Sequence, residues 1–151
     1  EYLQKELEKN QSINFKRAAT DLLIDLLKYW KDFNKEREGD YLSEFLAMLN
    51  DCLESIKNSN DSFAIIQKEA VFYVIQKVSD LVQSNKNLMQ GINHMIENFV
   101  FNELSSKSDF MRARSLLIYN AYSLESFSDE HVFEAGKMLL ENMTDNNAFP
   151  V

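Results

Sequence analysis

Apolar residues recur at spacings of three and four along almost the whole chain, and this spacing places them on one face of an α-helix. A short helix is predicted at residues 1–9, where Leu3 and Leu7 share a face. Further helices are predicted at residues 14–33, 41–57, 62–83, 88–104, 108–124 and 128–143. The breaks between them are short and polar, and Asp40 and Ser128 are suited to cap the helices that follow them. The pattern therefore predicts an all-α fold.

Each predicted helix carries an apolar stripe that we expect to face the core. In helix 41–57 the stripe consists of Leu42, Phe45, Leu46, Leu49, Cys52, Leu53 and Ile56. In helix 62–83 it consists of Ile66, Ala70, Val71, Val74, Val78, Leu81 and Val82. In helix 88–104 it consists of Leu88, Met89, Ile92, Met95, Ile96, Phe99 and Val100. Because Cys52 lies within a stripe, we expect a buried structural thiol rather than a nucleophile.

A short motif with a small residue at its centre recurs in three of the predicted helices. It occupies residues 16–23, 67–74 and 112–118. The small residues Ala19, Ala70 and Ser115 hold equivalent positions, at spacings of 51 and 45 residues. These spacings are close to the ~40–47 residues of helical-pair repeats such as HEAT. We therefore expect an α-α superhelix, a HEAT-repeat solenoid of antiparallel helix pairs in which each small residue contacts a neighbouring helix. An ordinary helix bundle with coincidental similarity is the alternative.

The repeat assigns a place to every predicted helix. The second, or B, helices of the pairs are 14–33, 62–83 and 108–124. The pairs span about residues 1–33, 41–83 and 88–124. Helix 128–143 is then a first helix without its partner, and residues 1–151 are expected to form a central segment of a longer chain. We expect part of its apolar stripe to be exposed, or covered by a second copy; the stripe consists of Val132, Phe133, Gly136, Leu139, Leu140 and Met143.

Composition and charge exclude several classes of protein. The chain has 151 residues with 3 Gly and 1 Pro, too few for a sheet protein or a Gly-rich phosphate-binding loop. Its net charge of −8 argues against direct binding to nucleic acid. The single cysteine cannot form an internal disulfide, and no apolar run reaches the ~18 residues of a membrane span. His94 and His131 lie on different predicted helices without metal-ligand spacing, so we predict no metal, no cofactor and no enzymatic activity.

Several stretches of the chain carry a resemblance to a known family. They are Glu1-Tyr2-Leu3, residues 16–22, residues 68–74, Phe110-Met111-Arg112-Ala113-Arg114, Ser128-Asp129-Glu130 and Phe149-Pro150-Val151. In them the chain resembles the importin-β superfamily of nuclear transport receptors (karyopherins), in the branch of exportin two, importin seven and importin eight. The resemblance implies HEAT repeats, shuttling between cytoplasm and nucleus, and binding to cargo protein, to the GTPase Ran and to Phe-Gly repeats of the nuclear pore. It also implies that Ran is contacted mainly by repeats outside these residues.

Outward polar residues of the B helices are the predicted partner-binding residues, because B helices line the concave face in this architecture. They are Asp21, Asp25 and Lys28 on the first B helix, Gln76 and Asp80 on the second, and Asn120 on the third. Helix 108–124 is apolar on nearly all sides, with Leu117 opposite its core positions, so it is either buried or in contact with a partner. We expect a transport receptor that binds cargo through this face. The alternative is a HEAT-repeat scaffold of a complex unrelated to transport, which would differ from it in the flanking sequence.

Overall fold

The computed structural model of the chain describes residues 18–29, 38–59, 61–83, 85–122 and 127–144. Within these ranges the regular structure is helical throughout and contains no strand. The all-α prediction is therefore confirmed for this part of the chain. The predicted helix 1–9 and both ends of the predicted helix 14–33 lie outside the described residues.

The chain divides into two units, Glu1–Leu42 and Ser43–Val151. In the first unit, residues 18–29 form helix α1, in agreement with the helix predicted in this region. Leu22 and Leu26 of this helix are 61% and 46% exposed. Helix α1 thus presents apolar side chains at its surface.

The elements after α1 correspond to the predicted helices, but two of those helices are divided. The elements are α2 (Glu38–Ile56), α3 (Ser62–Lys77), α4 (Ser79–Val82), α5 (Lys86–Met95), the π segment (Ile96–Val100), α6 (Phe101–Glu103), α7 (Asp109–Ala121) and α8 (Asp129–Thr144). The predicted helix 62–83 breaks at Val78, where φ is −87° and ψ is 3°. The predicted helix 88–104 contains the π segment, whose wider turn shifts the side chains that face inward beyond it. None of the helices in the described ranges is long and apolar enough to cross a membrane.

Polar side chains cap the starts of α3 and α8. Asp61 Oδ1 accepts a hydrogen bond of 2.8 Å from the N–H of Ala64. The hydroxyl of Ser59 and this N–H together lower the pKa of the Asp61 carboxyl, because both stabilise its charged form. Ser128 Oγ accepts from the N–H of His131 at 3.3 Å, so the cap predicted for the last helix is confirmed.

Helix α2 buries four of the seven residues of its predicted stripe, leaves Leu42, Phe45 and Cys52 half-buried, and begins earlier than predicted. The buried residues are Leu46, Leu49, Leu53 and Ile56. Cys52 is half-buried rather than buried, because it lies at the edge of this line of side chains. The helix begins at Glu38, so Asp40 lies inside its first turn and does not precede it as a cap. An acidic residue suits both positions, since the first turn also favours negative charge.

Helix α5 and the π segment bury the stripe predicted for them. The fully or nearly fully buried residues are Leu88, Ile92, Met95, Ile96, Phe99 and Val100. After the π segment the next buried side chain is Leu104, which is 1% exposed. These residues form much of the apolar core of the second unit.

Helix α3 buries only part of the stripe predicted for it and turns other residues inward as well. Ala64, Phe72 and Ile75 are buried, with exposed fractions of 3%, 0% and 0%. Ile66 is 64% exposed, and Ala70 is exposed as well. Val71, Val78 and Val82 of the predicted stripe are buried, so the prediction was wrong only at Ile66 and Ala70. It also missed Phe72 and Ile75, because apolar residues occur on all sides of this segment and their spacing alone does not select a face.

Helices α3 and α7 pack against each other and run parallel. Arg114 of α7 donates to Glu69 of α3 at 3.1 Å. Further along both helices, the hydroxyl of Tyr122 donates to the carbonyl oxygen of Ile75 at 2.7 Å. The contacts therefore advance in the same direction along the two helices.

The helical stretch from α5 to α6 runs back antiparallel to α3. It begins directly after α4, which follows the C-terminal end of α3. It ends at Glu103, whose carboxylate lies 2.8 Å from Nζ of Lys68 near the start of α3. The order along the chain is thus a helix, an antiparallel return and a helix parallel to the first.

The predicted equivalence of Ala70 and Ser115 is wrong. Ser115 is 0% exposed and its hydroxyl donates to the carbonyl oxygen of Met111 at 3.0 Å, whereas Ala70 is exposed. The residues that precede them, Glu69 and Arg114, face each other across the contact between α3 and α7. Repeats related by translation would present equivalent residues in the same direction. The two copies of the motif instead point in opposite directions.

Candidate protein-interaction face

The predicted partner-binding residues belong to helices of both units. Asp21, Asp25 and Lys28 are exposed on α1, in the first unit. In the second unit, Asp80 on α4 and Asn120 on α7 are exposed, and Gln76 on α3 is half-buried. A role for these residues in binding stays a prediction.

Gln76 belongs to the contact between α3 and α7. Its side-chain oxygen accepts a hydrogen bond of 2.7 Å from Nη1 of Arg114. The amide therefore takes part in the packing of two helices, whereas the sequence predicted that it would face outward.

Arg114 is the centre of this contact. Its Nε lies 3.1 Å and its Nη2 3.0 Å from the same carboxylate oxygen of Glu69. The two side chains are 12% and 8% exposed. Breaking such a pair on one side leaves a buried charge without its partner, at a cost of about 3–5 kcal/mol. The pair therefore fixes the position of α7 against α3.

Two aromatic rings flank the Arg114 guanidinium. Its central carbon lies 4.7 Å from the ring centroid of Tyr73 and 5.8 Å from that of Phe110. Nζ of Lys77 lies 5.6 Å from the same Tyr73 ring. Such cation–π contacts contribute about 0.5–2 kcal/mol each, more where water is excluded. They hold the rings of Tyr73 and Phe110 beside Arg114, where α3 and α7 meet.

Further ion pairs support the two helices at their N-terminal ends. Lys68 pairs with Glu103, and both side chains are largely buried. Arg112 donates to the carbonyl oxygen of Ser106 at 2.6 Å and to Asp109 at 2.5 Å. These contacts tie the loop before α7 to the helix that follows it.

Apolar side chains project to solvent on either side of Arg114. We call this surface the α3–α7 face; it consists of Phe63, Ile66, Ala70, Tyr73, Phe110 and Leu117. On α3 these residues recur at spacings of three and four, and on α7 they are seven residues apart, so each set lies along one side of its helix. The exposed fractions of Phe63, Ile66, Phe110 and Leu117 are 68%, 64%, 57% and 44%. Clustered exposed apolar side chains of this kind mark interaction sites in folded proteins.

The chemistry of the α3–α7 face is that of binding. Its only central charge, on Arg114, is already balanced by Glu69, so a partner would contact mainly apolar and aromatic atoms. Among the described residues, no group of three or more His, Cys, Asp or Glu side chains is placed to hold a metal ion. Sequence reasoning missed Glu69 and Arg114 as a pair. The available signal was the one acidic residue of α3 and the two arginines of α7, on two helices that carry copies of the same motif.

Comparison of the chain with models of known protein families, with curated proteins and with solved structures finds no match.

Proposed function

We propose that the chain is a protein-binding segment of helical repeats from a nuclear transport receptor of the importin-β type. The observation that carries this proposal is the α3–α7 face, where exposed apolar side chains stand on a contact fixed by a buried ion pair. Its partners would be cargo protein and the Phe-Gly repeats of the nuclear pore, with Ran contacted mainly by other repeats. The receptor would pass between cytoplasm and nucleus.

The order of helices in the second unit supports a repeat architecture. Helix α3, the antiparallel return from α5 to α6, and the parallel helix α7 follow one another with short connections. Stacked helical pairs produce this order, because each pair packs on its neighbour rather than on itself. A HEAT-type superhelix is the architecture that we propose for it.

The face suits an apolar partner better than a charged one. Phe110 and Leu117 project from α7 two turns apart, and both are more than two-fifths exposed. Because Glu69 already neutralises Arg114, a partner gains little from supplying a carboxylate here. Segments with aromatic side chains and little charge, such as Phe-Gly repeats, match this chemistry.

Binding of a synthetic Phe-Gly repeat peptide to the chain tests the proposal, with a Ser-Gly peptide of equal length as control. The variant Phe110→Ser/Leu117→Ser should weaken Phe-Gly binding about tenfold or more, as expected for central apolar anchors. The matched control is Phe133→Ser/Leu140→Ser on α8, which replaces two side chains that are 70% and 65% exposed. This control should leave binding unchanged. Equal binding of the two peptides, or equal effects of the two variants, would contradict the proposal.

A scaffold of a non-transport complex is the second candidate, because the row of Phe63, Ile66 and Ala70 along α3 also fits a partner helix. A measurement of Ran-GTP binding does not separate the two candidates. In either case we expect calorimetry to show weak or no binding of Ran-GTP to this segment alone. A submicromolar dissociation constant would show that the Ran surface lies within these residues. A scaffold would bind neither repeat peptide, and Phe110→Ser/Leu117→Ser would instead release its partner subunit from the complex in cells.

A further inference from the structure

A second cluster of side chains lies where α8 meets α7 and α6. His131 of α8 is half-buried there, and its Nε2 lies 2.6 Å from the hydroxyl oxygen of Tyr119 of α7. The imidazole ring is stacked on Phe127 at a centroid distance of 5.1 Å and lies 4.8 Å from the ring of Phe101. This single side chain therefore joins three parts of the second unit.

The charges that face His131 are negative. Glu97 comes from the π segment, and Glu130 and Glu134 come from α8; all three line the same opening of about 360 Å³ as the imidazole. The remaining described residues that line this opening are Phe101 and Ser128, so neither a lysine nor an arginine is among them. A positive charge on His131 would be attracted by every ionised group around it.

Tyr119 keeps its proton throughout the range in which histidine changes charge. Burial, and secondly the negative charge of Glu97, raise the pKa of the Tyr119 hydroxyl above its usual value. When His131 is neutral, the hydroxyl donates to Nε2; when His131 is protonated, Nε2 donates and the hydroxyl oxygen accepts. The contact between α7 and α8 is therefore kept in both states, while the charge at its centre changes.

We propose that His131 is a pH-dependent latch that holds α8 against α7 and α6, and that it tightens as the pH falls. The sign follows from the surroundings. Neutral His131 leaves Glu97, Glu130 and Glu134 to repel one another, and protonation places a cation between them and against the aromatic rings.

The latch also fixes one wall of an apolar cavity. Tyr119 lines an opening of about 310 Å³ between α7 and α8, together with Val132, Ala135 and Gly136 of α8. The Tyr119 hydroxyl is hydrogen-bonded to His131, so protonation of His131 should strengthen the attachment of Tyr119 to α8. Acidification should therefore rigidify both the cavity and α8.

Hydrogen exchange of the α8 amides, corrected for intrinsic rates, tests the latch at about pH 7.5 and pH 6.0, where histidine changes charge and carboxylates do not. Protection of α8 should rise about three- to fivefold on acidification, the effect of a partly exposed ion pair. The chain holds two histidines, so His94→Asn on α5 is a matched control and should behave like the native chain, while His131→Asn should show no rise.

A second variant keeps the test decisive if His131→Asn disturbs α8. Glu134→Gln retains the imidazole and removes one facing carboxylate, so it should reduce the rise in protection without abolishing it. Unchanged or decreased protection of native α8 on acidification would overturn the latch. An equal rise in the protection of α8 in the His131→Asn and His94→Asn variants would also overturn the latch.

Discussion

The hydroxyl of Tyr122 donates a hydrogen bond of 2.7 Å to the carbonyl oxygen of Ile75, which lies 47 residues earlier in the chain. Ile75 precedes the break at Val78, where the backbone leaves the helical conformation between α3 and α4. Both side chains are buried, at 1% and 0% exposure. A tyrosine from the end of α7 thus supplies a donor to the backbone of α3 at the point where that helix ends.

Replacing Tyr122 by phenylalanine should lower the free energy of unfolding by about 1–3 kcal/mol, because the buried carbonyl of Ile75 loses its donor while the ring still fills its site. Urea unfolding followed by circular dichroism measures the change. Tyr29→Phe is the control, since Tyr29 is 58% exposed and should change stability by less than about 0.5 kcal/mol. Equal midpoints for the two variants would show that the Tyr122 bond does not stabilise the break.

The ion pair between Glu69 and Arg114 should behave as a buried pair in a double-mutant cycle. Arg114→Leu alone leaves the Glu69 carboxylate buried and should cost about 3–5 kcal/mol. The double variant Glu69→Leu/Arg114→Leu should recover most of that loss, because no buried charge remains. Lys57→Ala, which breaks an exposed pair with Glu54, should cost about 0–1 kcal/mol. A double variant less stable than Arg114→Leu would contradict this account.

Leucine at position 70 or 115 tests the direction in which the two copies of the motif point. Ala70→Leu should change stability by less than about 0.5 kcal/mol, because Ala70 is exposed. Ser115→Leu should cost about 1–3 kcal/mol or more, because Ser115 is fully buried and its hydroxyl bonds to Met111. Chemical unfolding of the two variants gives the comparison. A similar loss at both positions would restore the equivalence that the sequence suggested.

The helices could be predicted from the sequence because their apolar spacing and polar caps are local signals. Asp61 and Ser128 cap α3 and α8 through contacts within four residues, and such contacts follow from sequence alone. The inward face of α3 could be predicted only in part, since Val71 is buried as expected and Ile66 is not. Phe72 and Ile75 are buried and Ile66 is exposed only because α7 packs on one side of a helix that is apolar all round.

Of the α3–α7 face only the outward position of Leu117 was predicted, because Ile66 and Ala70 were expected to face the core. The motif made residues 67–74 and 112–118 correspond, and the helices that carry them are indeed neighbours. The pairing of Glu69 with Arg114 could not be predicted, because a spacing of 45 residues does not tell which sides of two helices meet. Gln76 was assigned to an outward position for the same reason, and in the structure its oxygen bonds to Arg114.

Two buried tyrosines should make the protein lose stability in alkaline solution. Burial is the main cause that raises the pKa of both Tyr119 and Tyr122 above its usual value, and the charges of Glu97 and Asp80 add to it. In the unfolded chain tyrosine ionises near pH ~10, so above that pH the unfolded state binds fewer protons than the folded state. Stability is therefore fully retained below pH ~10 and should then fall by up to about 1.4 kcal/mol per pH unit for each tyrosine.

Urea unfolding between about pH 8 and pH 11 measures this slope, and phenylalanine variants assign it. Tyr119→Phe and Tyr122→Phe should each make the decline shallower, because a side chain that cannot ionise binds the same number of protons in both states. Tyr29→Phe changes a largely exposed side chain and serves again as the control for replacing a tyrosine. If the double variant Tyr119→Phe/Tyr122→Phe declined as steeply as the native chain, other groups would cause the alkaline loss and the two hydroxyls would not be held protonated by the fold.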